Sequence, residues 1–171
     1  VPQCVTVVED TALFDAALTS IKLSGQKNQL VEEMKKVVDH LMSKANVRVF
    51  WKVGSYSESV PAHVPATNVV VATIKNNAPA NKGYLGVTSS ATNADTFDES
   101  IEIYPGMYDE PNDIDVDTET QALIMQLQTD LPGNSSLTPV ATRVFGRLIG
   151  ETLSHEIGHA LLWDDIPSGH N

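Results

Sequence analysis

The chain has a single cysteine, Cys4, among 171 residues. No disulfide can close within it, which excludes the small scaffolds that use disulfides in place of a core. A plain buried or free thiol is the expected state of Cys4. Basic residues are scarce as well: 11 Lys and Arg stand against 22 Asp and Glu, a formal net charge of −11. Nucleic acid and anionic membrane surfaces both call for a basic patch, so neither is an expected partner. No apolar run approaches the roughly 18 to 20 residues of a membrane span. The start, Val-Pro-Gln-Cys, lacks the basic-then-apolar pattern of a secretory leader, so a leader is either absent or already removed.

What is present suits one globular domain over residues 1–171. The hydrophobic content of 42% is ordinary, and the length is enough to bury a continuous core. There is no internal repeat and no low-complexity block. Residues 5–8 form a strand candidate, and a second apolar stretch covers 16–23 before Ser24-Gly25. Leu30, Val31, Met34, Val37, Val38, Leu41 and Met42 then recur at three- and four-residue spacing, with Glu32, Glu33, Lys35 and Lys36 opposite. That period predicts an amphipathic helix ending near Asn46. Strand patterns follow at 47–53, 68–74, 83–90 and 100–104. The β-branched run 68–74 is of the kind that can be covered on both faces. A helix between the early strands predicts a parallel βαβ start and an α/β (α+β) fold, a mixed twisted sheet packed on helices.

Between 109 and 119 the chain is acidic: Asp109, Glu110, Asp113, Asp115, Asp117 and Glu119. The spacing Asp113-x-Asp115-x-Asp117 opens like a calcium loop. However, Thr118 stands where the turn glycine belongs and Ile124 where the closing glutamate belongs, so a solvated loop is favoured. Residues 118–129 read as a helix. The last helix opens with Thr138 as expected N-cap and Pro139 in the first helical position. Its apolar pattern runs from Val140 to about Leu162. Gly146, Gly150, Ser154 and Gly158 form a ridge spaced by four. Interior glycines cost roughly 1 kcal/mol each against alanine. Close approach of the helix to a sheet or second helix is the expected compensation, and a kink near Gly150 the competing one.

This helix carries His155, Glu156 and His159 in the run His-Glu-Ile-Gly-His. Two histidines four apart project from one helical face, where both imidazoles reach a single Zn²⁺ at ~2.0–2.1 Å. Glu156 is one step round, close enough to take a proton from a metal-activated water without displacing it. By average usage the three fixed positions arise by chance in about one per cent of such chains. The alternative is a surface helix with two unconnected histidines.

On His155, Glu156, Gly158 and His159 the chain resembles the zincin metallopeptidases. Metzincins continue their motif with a glycine three residues after the second histidine and a histidine or aspartate six after it. Those positions hold Leu162 and Asp165 here. The family's glycine allows a sharp, often positive-φ exit from the helix, which leucine disfavours. Three residues therefore stay open as third ligand: Asp165 at the family spacing, His170 after the flexible Ser168-Gly169 pair, and Asp164.

The metzincin methionine turn has no counterpart after His159. Either it lies beyond Asn171 or the chain is not a metzincin, and the order of helix, strands and motif helix supports the former. The resemblance also implies an antiparallel edge strand that lines the cleft and takes an extended substrate, for which 83–90 is the candidate. Glutamate-liganded zincins need a later glutamate, and none follows Glu156. The Gly-Thr pair of the aspartate class is missing too. Glu151, four before His155, reads as an orienting group or a solvated charge. A cysteine switch through Cys4 lacks its surrounding motif.

The expected function is zinc-dependent endopeptidase cleavage of a peptide or protein substrate, with Glu156 as general base and acid. The alternative is a non-proteolytic zinc-binding or structural domain that keeps the same site.

Overall fold

The computed structural model describes residues 4–79, 82–89 and 100–161. The first strand, β1 (Cys4–Glu9), leads into α1 (Thr11–Ser20). Asp10 caps that helix, accepting from the Leu13 amide at 3.2 Å. The helix thus begins five residues before the apolar stretch at 16–23, because the polar Asp10-Thr11 pair sets its start. It ends at a left-handed turn, where Lys22 has φ 66°.

The second helix, α2 (Lys27–Lys44), buries Leu30, Val31, Met34, Val38 and Met42 along one stripe. Asn46 closes it with φ 57°, while the Val47 amide donates to the Met42 carbonyl and the Asn46 amide to Ser43. This paired closure satisfies carbonyls that the last turn leaves open.

Four strands follow: β2 (Arg48–Lys52), β3 (Val69–Ile74), β4 (Gly86–Ser89) and β5 (Ser100–Ile103). Among the described residues they form with β1 one sheet of order β2-β1-β3-β5-β4. β1 runs parallel to β2 and β3, β3 runs parallel to β5, and β4 is an antiparallel edge. The parallel start and the mixed sheet match the sequence expectation. Side chains alternate across the sheet, so register decides what faces the core. Val5, Val7, Trp51, Val70, Ala72, Ile74, Ile101 and Ile103 share the buried side. Val71, on the other side, is 44% exposed. Residues 68–74 are therefore covered on one face by the described residues, where the β-branched run suggested both.

After a short 3-10 turn at Pro105–Asp109 comes α3 (Thr118–Asp130). Its cap is Asp117, whose carboxylate accepts from the Thr120 amide at 2.8 Å and hydroxyl at 2.6 Å. The other five acids of the 109–119 loop are exposed, as is Asp117, whereas Pro111 and Ile114 anchor the loop inward. Among the described residues no group of three or more metal-ligating side chains gathers there.

The last helix, α4 (Thr138–Leu161), continues directly from a 3-10 turn at Ser135–Leu137. Thr138 already has helical φ −54° and ψ −46°, so it is the first helical residue and not the expected N-cap. The 3-10 turn ahead of it removes the need for a side-chain cap. The helix runs unbroken past Gly150. Cβ atoms at Gly146 and Gly150 would meet α2: 2.6 Å from Glu33 Cβ and 2.9 Å from the Leu30 carbonyl oxygen at the first, 3.0 Å from the Met34 carbonyl oxygen at the second. Close approach to a second helix, not a kink, explains Gly146 and Gly150.

Gly146→Ala is expected to lower stability. Alanine brings about 1 kcal/mol of helix propensity, but overpacking against a fixed backbone carbonyl costs about 1–3 kcal/mol. Urea denaturation should show a lower midpoint, with a net loss on the order of 1–2 kcal/mol. An unchanged or raised midpoint would contradict the packing described.

Candidate active site

The buried stripe of α4 passes through Phe145, Ile149, Leu153, Glu156, Ile157 and Ala160. Glu156 lies on it by helical period, and it is the carboxylate the helix buries, at 8% exposure. His155 and His159 project from the adjoining face, the first exposed and the second half-buried. Their Nε2 atoms come within 2.9 Å, with ring centroids 4.5 Å apart and nearly perpendicular. As a hydrogen bond this needs one ring to donate and the other to accept. It is also close to what a metal requires. A tetrahedral ion with bonds of ~2.0–2.1 Å sets two nitrogens roughly 3.3 Å apart. A separation of about 0.4 Å more would admit it, so the two imidazoles fit a zinc ion.

A third ligand is not found among the described residues. Asp164, Asp165, His170 and Leu162 lie outside them. Glu151 is exposed, and its charge adds to the burial that raises Tyr108. Cys4 is a buried free thiol at the start of β1.

The sheet meets α4 at its antiparallel edge. Gly86 pairs with Ile103 and Thr88 with Ile101, so both face the core side, where α4 lies. A Cβ at Gly86 would stand 3.0 Å from Glu156 Cγ, 3.1 Å from Thr152 Cγ2 and 2.9 Å from Ile103 Cδ1. That leaves no room for a side chain. Thr88 reaches Glu156 directly: its hydroxyl lies 2.6 Å from Oε2 and 3.0 Å from the backbone carbonyl oxygen. A buried carboxylate without such a partner would be costly. Gly86 and Thr88 were not singled out in the sequence; the available signal was their shared parity within 83–90.

The neighbouring tyrosines are held neutral. Burial, then the Glu102 carboxylate, push the Tyr104 hydroxyl above the ordinary tyrosine range, and the charge of Glu156 adds to this. Burial does the same to Tyr108, whose ring packs edge-on against Phe145 at 5.7 Å. Glu102 accepts from Lys75 at 2.7 Å and from Tyr104 at 2.5 Å. These bonds, Lys75 first, hold its carboxyl below the usual range. A groove of about 430 Å³ lies at the opposite sheet edge, lined by Asp39, Arg48, Phe50 and Glu58, away from the histidines.

The Glu102 shift has a sign that can be tested. Its folded pKa is below its unfolded one, so its stabilisation is complete above about pH 4.5 and fades as pH falls through the folded value. The pair is about one-third exposed, which limits its worth to under about 1 kcal/mol. Lys75→Met should reduce stability at pH 7 and shrink the loss between pH 7 and pH 3.5 in urea denaturation. Equal acid sensitivity in wild type and variant would contradict the assignment.

Comparison with protein-family models, curated proteins and solved structures returned no match in any of the three.

Proposed function

We propose that the chain is a zinc-dependent endopeptidase. The observation that carries this reading is the convergence of His155 and His159 Nε2 at 2.9 Å, beside the Glu156 carboxylate on the same helix. His155 and His159 would hold the ion, with Asp165, His170 or Asp164 completing the site. Zinc bound there supplies Lewis acidity, polarising a carbonyl and lowering the pKa of a water towards ~7. Glu156 takes the proton as the water attacks and returns it to the leaving amine.

The sheet edge suits an extended substrate. The Tyr104 amide donates to the Leu85 carbonyl, and the pairs Val87–Glu102 and Ser89–Ser100 continue that phase of the ladder. In an antiparallel pair the alternate residues turn their amide and carbonyl groups outward. Those residues are Gly86 and Thr88, so the edge, which no described strand covers, presents their backbone groups to an incoming strand. This agrees with the metzincin resemblance, in which an antiparallel edge strand lines the cleft.

A second reading, zinc binding without hydrolysis, is favoured by one observation. Glu156 is buried and one of its oxygens is already engaged by Thr88, as suits a purely structural carboxylate.

Metal content and peptide cleavage separate the readings. The zinc-reconstituted protein should hold stoichiometric zinc and cleave members of a diverse peptide library. Glu156→Ala should keep the zinc and lose about 10²- to 10⁴-fold in kcat/KM. Stoichiometric zinc with no cleavage would favour the non-hydrolytic reading. A chain that takes up no zinc would overturn both.

A further inference from the structure

We infer that Thr88 is a positioning residue for Glu156, tying the general base to the strand that receives the substrate. The inference rests on the peptidase reading above and adds to it a residue outside the His-Glu-Ile-Gly-His run.

A threonine hydroxyl has a single proton to donate. Here it faces two acceptors of one residue, Glu156 Oε2 at 2.6 Å and the Glu156 backbone carbonyl oxygen at 3.0 Å. The shorter contact has the length of a charge-assisted O–H···O⁻ bond. Both contacts cross from β4 to α4 and join residues 68 apart in sequence. Oε1 is the carboxylate oxygen with no hydrogen bond among the described residues. A base must present one oxygen to the attacking water in a fixed direction, and a misplacement of 1 Å can cost about 10²-fold in rate. Anchoring Oε2 sets the direction of Oε1.

The same residue faces outward through its backbone. Thr88 belongs to the outward phase of the β4 edge, so a docked peptide strand would bond to the amide and carbonyl of the residue whose side chain holds the base. Gly86, two residues earlier on the same face, is kept bare by Glu156 Cγ at 3.0 Å from its would-be Cβ. The carboxylate stem is thus confined by Gly86 and its end by Thr88. A lateral shift of β4 when substrate binds would move both restraints together.

A purely structural hydroxyl would serve only to satisfy the Glu156 carbonyl and join strand to helix. The two roles part in kinetics. Thr88→Val keeps the β-branched shape and removes the donor, whereas Thr88→Ser keeps the donor. With zinc-loaded protein, Thr88→Val should lower kcat about 10- to 100-fold, with KM within about twofold and zinc content unchanged. Thr88→Ser should restore most of the loss. Crystal structures without metal supply a readout independent of activity, in which the Glu156 carboxylate should leave its place in Thr88→Val and keep it in Thr88→Ser. If active wild type and Thr88→Val share the same kcat, or the carboxylate stays put in Thr88→Val, the inference is overturned while the peptidase reading stands. A zinc-loaded wild type that cleaves nothing overturns the peptidase reading, and the positioning role with it.

Discussion

The helix that bears His155, Glu156 and His159 lies where it does because two of its residues have no side chain. At Gly146 and Gly150 the α2 backbone comes so near that a Cβ would stand within about 3 Å of carbonyl oxygens of Leu30 and Met34. Protein interiors do not absorb overlaps of that size without displacement. The contact therefore fixes the distance between α4 and α2. Since α2 connects the β1–α1–α2–β2 unit, it also ties α4 to the sheet. Lifting α4 off α2 would carry the buried stripe from Phe145 to Ala160 with it.

One consequence appears two turns further along. The stripe that buries Ile149 and Leu153 also brings Glu156 inward, against the antiparallel edge of the sheet. A carboxylate in that position needs a donor, and strand parity provides Thr88 at the required place. The histidines fall on the neighbouring, more open face. A single helix thus divides its motif into two environments: two imidazoles facing each other at 2.9 Å and a carboxylate restrained beneath the strand. The proposed hydrolysis would draw on both, the imidazoles to hold the ion and the carboxylate to serve as a base with a defined direction.

Much of this was legible in the sequence, for local reasons. The apolar period of α2 and its end at Asn46 are set by a residue and its near neighbours, and the four-residue spacing of the α4 glycines marks one helical face whatever packs on it. His155 and His159 share a face through helical geometry alone. The resemblance implies an antiparallel edge strand at 83–90, and among the described residues the shorter β4 (Gly86–Ser89) is an antiparallel edge. What escaped depends on pairing between distant segments. Thr88 meets Glu156 only after β4 has paired with β5 in one register, and nothing within 83–90 specifies that register. Thr138 looked like a cap because its type suits one, and the 3-10 turn before it made the cap unnecessary. The start of α1 was hidden because Asp10 and Thr11 are polar while the apolar stretch begins later. The candidates for a third ligand, Asp164, Asp165 and His170, lie outside the described residues.

The central claim is that His155 and His159 bind one zinc ion through their imidazoles. Zinc K-edge X-ray absorption on the reconstituted protein tests it most directly. The account predicts nitrogen scatterers at about 2.0–2.1 Å with the outer-shell pattern of imidazole, lost in the His155→Ala, His159→Ala double variant. Bound zinc without an imidazole pattern, or a spectrum unchanged in the double variant, would contradict it.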